Sequence, residues 1–477
     1  MAVEVAGRLR SGQFVCIQKA SARLHRHVNI QILNAKSERI LSSSAKSSLR
    51  NCNYFSEGNV ILRHHSVEHS RRKAVVVTAK TMAEKTPLRL ERKYVLTEDQ
   101  LSKAKAAMDA FLNSVHANLE KREGTSPYYL LHEAGDAVYG NVLLFHGFSM
   151  TPEQCRRLAQ YLFENGFNVY QCSLAGHSFA NPNQNWPQVH LKLQWKYKIR
   201  QKVFSDPALV EAMRSFDITQ DKFEFIHKKI LSLSSDQAAI IAAIIHEDEK
   251  SEPFLRFYDS SHMQFLYEAE ARLQEIESLP GPAFTVGLSV GGAVALGLAA
   301  AHPEKIAKVA AYSPFLKGFN ELGRKVTLIA GPLDVKEIRW VPNLTFSASC
   351  LVAADLHGHH VRQEHNIKVL SRMPTFVMLT ELDDSADFLT DQQFIASVRL
   401  SSGQHGPPHL DGFYSRSEKV PHAMIDPTEE SQGMTNKYWA TLYQETFRFL
   451  TESIVNENQL HSLEQDPKLP QVAPLLK

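Results

Sequence analysis

Long apolar runs are absent from the 477 residues of this chain. No stretch approaches the eighteen or so residues that cross a bilayer, so no transmembrane segment is expected. Cysteine is scarce as well. Cys16, Cys52, Cys155, Cys172 and Cys350 make no CxxC pair and no even framework, which excludes a disulfide scaffold and a zinc knuckle and fits a reducing compartment. There is no HExxH pattern either. His357, His359, His360 and His365 crowd together, but the adjacent pair would diverge on a strand or a helix. No metal is therefore expected, the stretch reads as a polar loop, and no cofactor is implied.

Charge is unevenly placed. The formal net charge is only +2, yet residues 1–80 hold fourteen Lys and Arg against four acids, leaving 39 basic and 47 acidic residues of the totals 53 and 51 for the rest. An acidic body offers no basic face, which argues against a nucleic-acid partner. The basic head is rich in serine (Ser42, Ser43, Ser44, Ser47, Ser48) and lacks a secretory apolar segment. That composition is the one of an organelle transit peptide, plastid ahead of mitochondrion, with processing expected near 74–79 after Arg71-Arg72-Lys73.

After the head, a linker and amphipathic helix are expected over 81–125. Thr97 and Gln100 form a capping box, and Leu101, Ala104, Met108, Phe111, Val115 and Leu119 recur at helical spacing. From about 126 onward short apolar runs alternate with helical patterns. Strands are expected at 139–145, 168–173, 283–286, 306–312, 375–379 and 412–415. Helices are expected at 153–163, 293–301, 391–398 and 438–450. Apolar strands alternating with helices predict a mostly parallel sheet covered on both faces, an α/β fold. Two stretches break the rhythm. Residues 184–258 carry three helical patterns and read as an inserted lid, and 317–370 is a candidate second cap segment. A tail follows at 454–477.

The sharpest motif is Gly287-Leu288-Ser289-Val290-Gly291-Gly292, between a short apolar strand and an Ala-rich helix. Serine is a poor nucleophile unless held exposed on a tight strand-to-helix turn, and such a turn needs small residues two before and two after it. The second motif, His146-Gly147-Phe148-Ser149, closes a buried strand. Such a loop places a backbone N–H beside the nucleophile, where a fixed donor steadies a developing oxyanion.

With these two motifs the chain resembles the α/β-hydrolase superfamily, in particular carboxylesterases and monoacylglycerol lipases whose oxyanion loop reads His-Gly-Phe. The run from Asn141 to Ala175-Gly176-His177 is similar to their strand, helix, strand and Gly-His turn, and the resemblance spans roughly 126–453. It implies the α/β-hydrolase fold with a helical lid, and a triad in the chain order Ser, acid, His. Matching the family's acid motif onto 375–383 puts Asp383 in the acid position, with Thr380 where the family has glycine and Asp384 as the alternative. His422, in Val420-Pro421-His422-Ala423-Met424 before the terminal helix, falls at the histidine position. The resemblance further implies Phe148 and Val290 as oxyanion N–H donors, and His146, Gly147, Ser149, His177 and Leu288 as pocket residues.

The expected activity is hydrolysis of a small-molecule or lipid carboxylic ester through an acyl-enzyme on Ser289, an apolar lid favouring a medium or long acyl group. An acyltransferase or thioesterase on the same triad, and a ligand-binding protein that turns nothing over, stay open. So does the oligomeric state.

Overall fold

The computed structural model describes residues 90–213, 220–233, 239–240, 242–244, 248–319, 325, 328, 334–336 and 344–464. The expected transit segment at 1–80, parts of 184–258 and 317–370, and the tail beyond 464 lie outside the described residues.

Seven strands make the central sheet: β1 (Tyr128–Leu130), β2 (Asn141–Phe145), β3 (Asn168–Cys172), β4 (Ala283–Leu288), β5 (Ile306–Tyr312), β6 (Thr375–Thr380) and β7 (His409–Tyr414). Their spatial order is β1-β3-β2-β4-β5-β6-β7. Every neighbouring pair is parallel except β1 with β3, so β1 is an antiparallel edge. The expected mostly parallel sheet is present, with the expected strands extended or trimmed by up to three residues. β1 carried no signal in the sequence: its Tyr128-Tyr129-Leu130 is too short for a period.

Strand residues alternate between two cores, as the pleat requires. Leu143, Phe145, Tyr170 and Cys172 pack on one face with α3 (Gln264–Glu275), α4 (Val290–Ala301), α5 (Ala348–Val361) and α6 (Phe388–Ser402). Val142, Leu144, Val286 and Met378 pack on the other with α2 (Arg156–Glu164) and α7 (Trp439–Glu452). Both faces of β2 and β4 are buried, which is why these strands read as unbroken apolar runs.

The N-terminal helix α1 (Glu98–Ala117) forms as its capping box dictates. Thr97 Oγ1 accepts the Gln100 N–H and Gln100 Oε1 accepts the Thr97 N–H. Leu101, Ala104, Met108 and Val115 are buried, and Phe111 lies under the Arg272 guanidinium of α3. Leu119 does not extend the stripe. The helix ends at Ala117, and Leu119 stands fully exposed beyond it.

The insertion rises between β3 and β4. Val189–Leu191 pairs antiparallel with Tyr258–Ser260, and this ribbon closes its neck. Helices Leu193–Phe204, Pro207–Met213, Gln220–Leu233 and Glu252–Phe257 lie within it. The insertion's apolar residues Leu209, Ile226, Ile240, Ile244, Phe254 and Phe257 are buried in the core cluster.

The histidine-rich stretch is not a polar loop. His357, His359 and His360 fall on α5, a largely buried helix whose Ala, Val and Leu residues pack against α4, with His357 fully enclosed, and His365 falls on the helix Glu364–Leu370 that follows. Among the described residues no helix is long and apolar enough to cross a membrane. Removing the Thr97 cap should cost about 1 kcal/mol. Urea denaturation of Thr97→Ala is expected to report that loss, while Leu119→Ser stays within about 0.5 kcal/mol of the parent.

Candidate active site

Ser289 stands between β4 and α4 at φ 58° and ψ −123°, a region that L-residues avoid and that persists only where the surroundings hold it. Three backbone hydrogen bonds hold it. Its N–H donates to the Tyr312 carbonyl at 2.9 Å, and its own carbonyl accepts from Ala293 at 3.0 Å and Phe315 at 2.8 Å. The flanking glycines are steric necessities. A Cβ at Gly287 would lie 2.1 Å from the Gly291 carbonyl oxygen, and one at Gly291 would lie 2.4 Å from the carbonyl oxygens of Phe145 and His146. The Ser289 side chain is 5% exposed.

Asp383 and His422 are brought together on the loops leaving β6 and β7. His422 Nδ1 is 2.8 Å from Asp383 Oδ2, and both side chains are buried. Asp383 Oδ1 accepts from the N–H groups of Ser385, at 2.9 Å, and Ala386, at 2.7 Å. The carboxylate accepts a hydrogen bond from Nδ1–H, so Nε2 carries the free lone pair of the ring. Burial pulls the His422 pKa down, but the charge and hydrogen bond of Asp383, joined by Asp384 and Glu429, outweigh it and raise the net value. Asp384 is turned elsewhere, accepting from Ser385 Oγ. Thr380, which departs from the family's glycine, donates its hydroxyl to the Val420 carbonyl at 2.7 Å and accepts from the Leu382 N–H. It ties the aspartate loop to the histidine loop.

The loop after β2 lies against the elbow: a Cβ at Gly147 would sit 3.6 Å from the Ser289 Cβ. Among the described residues, neither the Phe148 nor the Val290 N–H donates to a protein acceptor. The loop is fixed from behind. His146 Nδ1 donates to the Gly147 carbonyl and Nε2 accepts from the Leu174 N–H. Burial pushes its pKa down to about 3, so the ring is neutral. Arg122 donates to the Ser149 and Met150 carbonyls at 3.0 and 2.6 Å, burial lowering its pKa to about 10. Arg122 lies far back in the chain, with no local pattern to announce it.

The five pocket candidates separate. Gly147 lies against the nucleophile, and Ser149 is buried at φ 64° with its carbonyl held by Arg122. His146 and Leu288 belong to the packing, the latter inside the core on the α2 and α7 face. His177 donates from Nδ1 to the Ala175 carbonyl and stacks on Trp186 at 3.7 Å, with burial holding its pKa far below the usual range. The Phe148 ring meets His177, Trp186 and Phe346 edge-on at 5.0–5.3 Å. Among the described residues no group of His, Cys, Asp and Glu has the arrangement of a metal site. Burial pushes His357 down to about 3 and His360 to about 4. A cleft of about 350 Å³ lies at the opposite edge of the sheet, where Asn141, Ala283 and Ile306 begin their strands.

Parallel strands put Ser289, Asp383 and His422 at one edge of the sheet, after β4, β6 and β7, with an antiparallel β1 on the far side. This is the α/β-hydrolase fold. No family model matches the chain, and no curated protein matches it. Solved structures similar to this chain include one from work on the metagenome-derived lipolytic enzymes LipS and LipT, at 13% identity, 69% of this chain, 98% of that one and a TM-score of 0.40. Another is a soluble variant of monoglyceride lipase from Saccharomyces cerevisiae with a substrate analogue, at 15%, 71%, 95% and 0.38. A third is monoacylglycerol lipase of Paleococcus ferrophilus, at 14%, 65%, 93% and 0.36.

The elbow admits no side chain at position 291. Gly291→Ala should cost at least about 2 kcal/mol through overpacking against two carbonyls, read as a lowered urea midpoint.

Proposed function

We propose that this chain is a serine hydrolase of carboxylic esters, with Ser289 as nucleophile, His422 as general base and acid, and Asp383 as its orienting carboxylate. The observation that carries the reading is the buried hydrogen bond between His422 Nδ1 and Asp383 Oδ2 at the edge of the sheet where the Ser289 elbow stands. A carboxylate on Nδ1 fixes the tautomer whose Nε2 accepts the serine proton, and it stabilises the imidazolium that results. Ser289 Oγ attacks the ester carbonyl. The proton passes from Ser289 to His422 and on to the departing alcohol, and water then cleaves the acyl-enzyme by the reverse path. The N–H groups of Phe148 and Val290, which have no protein acceptor among the described residues, are the donors for the oxyanion. A pair of prefixed donors lowers the barrier by several kcal/mol.

The insertion supports a reading of the substrate class. Its buried Leu209, Ile226, Ile240 and Ile244 favour a medium or long acyl chain. A series of p-nitrophenyl esters should show decanoyl turnover at least about tenfold above acetyl, since each buried methylene adds favourable transfer energy; equal rates would refute that preference. Ser289→Ala should lose turnover by at least about a thousandfold with an unchanged unfolding curve. Asp383→Asn should lower kcat by about 10⁴-fold, and Asp384→Asn should stay within about tenfold.

His422 must be neutral to accept a proton, and its pKa lies above the ordinary 6.5. The ratio kcat/KM should therefore rise with pH and reach half its plateau above pH 6.5. A half-point below that value would contradict the charge balance around His422.

A further inference from the structure

The loop that carries His422 carries another buried carboxyl, Glu429, which the mechanism above leaves unused. Glu429 Oε2 accepts from Gln154 Nε2 at 2.7 Å, and Gln154 Oε1 accepts the Gly147 N–H at 2.8 Å. Two hydrogen bonds thus join the loop after β7 to the loop after β2. Gln154 is buried, on the 3₁₀ turn Pro152–Cys155 that precedes α2. A Cβ at Gly147 would lie 3.2 Å from Gln154 Oε1 and 3.6 Å from the Ser289 Cβ, so the glutamine, the glycine peptide and the nucleophile are packed in sequence. The Gly147 peptide is one step before the Phe148 N–H. The plane that carries the Phe148 N–H is held in turn at the Gly147 carbonyl, which accepts from His146 Nδ1 at 2.8 Å, so the two anchored planes set the direction of that N–H.

The other oxygen, Glu429 Oε1, is buried with no hydrogen-bond partner among the described residues. Burial pushes this carboxyl up to about 7. Gln154 and His422 oppose that rise and Asp426 adds to it. The Cys155 thiol also faces it and is raised by burial and by the charges of Glu429 and Asp426. Glu429 in turn is among the charges that raise His422.

We infer that Glu429 is a positioning residue for the reaction proposed above: through Gln154 it holds the Gly147 peptide, and with it the Phe148 N–H. The inference rests on the serine-hydrolase reading.

The test compares wild type with Glu429→Gln, Glu429→Ala, Gln154→Ala and Ser289→Ala. Each is assayed for kcat, KM and pH profile on one p-nitrophenyl ester, for labelling by a fluorophosphonate, and for urea unfolding. A glutamine at 429 still offers Gln154 an acceptor but carries no charge. Glu429→Gln should therefore keep its plateau kcat within about threefold. Glu429→Ala and Gln154→Ala break the relay and should lower kcat by about ten- to a hundredfold with KM within about threefold, as a misaligned donor would. The inference is overturned if Glu429→Gln loses as much kcat as Glu429→Ala. It is equally overturned if both alanine variants keep wild-type kcat, or if their loss appears only together with a broken unfolding transition. Wild type that neither turns over ester nor takes the fluorophosphonate at Ser289 would sink the hydrolase reading itself, a result distinct from active enzyme indifferent to position 429.

Discussion

The backbone of Ser289 sits where an L-residue has no conformational reason to be, and the surrounding architecture is arranged to keep it there. Space comes first. Gly287 and Gly291 leave room for carbonyl oxygens that any β-carbon would strike. Anchoring comes next, from hydrogen bonds to Tyr312 and Phe315 at the exit of β5. The Ala-rich α4 follows because only short side chains let a helix start so close to the sheet, and all its residues from Val290 to Ala300 are buried. The neighbouring strands, the loops that follow them and the helices behind them all take their positions from that turn.

Around the turn, histidines hold their protons in two different ways. His146 and His177 are enclosed, neutral, and committed through Nδ1 to backbone carbonyls. They behave as hydrogen-bonding spacers that shape loops. His422 is enclosed too, but its Nδ1 faces a carboxylate, and the attraction of that charge overrides burial. The same side chain in the same degree of seclusion has its pKa lowered in one place and raised in another, and the difference is one neighbouring oxygen pair.

Much of this was legible in the residues. The parallel strands were visible because burial on both faces makes them continuously apolar, and the elbow because its steric rule is local. Asp383 and His422 were reachable through chain order, and the contact between them settles Asp383 over Asp384 as the partner of the ring. What escaped was either short or distant. β1 has three residues. α5 was mistaken for a polar loop because its histidines masked the Ala and Val periodicity that buries them. Arg122, Gln154, Thr380 and Glu429 act through side chains that reach carbonyls or amides on other loops, and a partner 275 residues away leaves no trace in local pattern. Thr380 looked like a defect in a glycine motif, yet its hydroxyl stitches two loops together.

The ribbon at the neck of the insertion has a consequence for how such a chain can change. Antiparallel pairing of Val189–Leu191 with Tyr258–Ser260 keeps the outgoing and returning strands only about 5 Å apart. Whatever is threaded between them meets the sheet through the same narrow double stalk. Segments there can lengthen, shrink or be replaced without disturbing strand order, so the insertion is free to drift while the sheet and the loops at its edge stay constant.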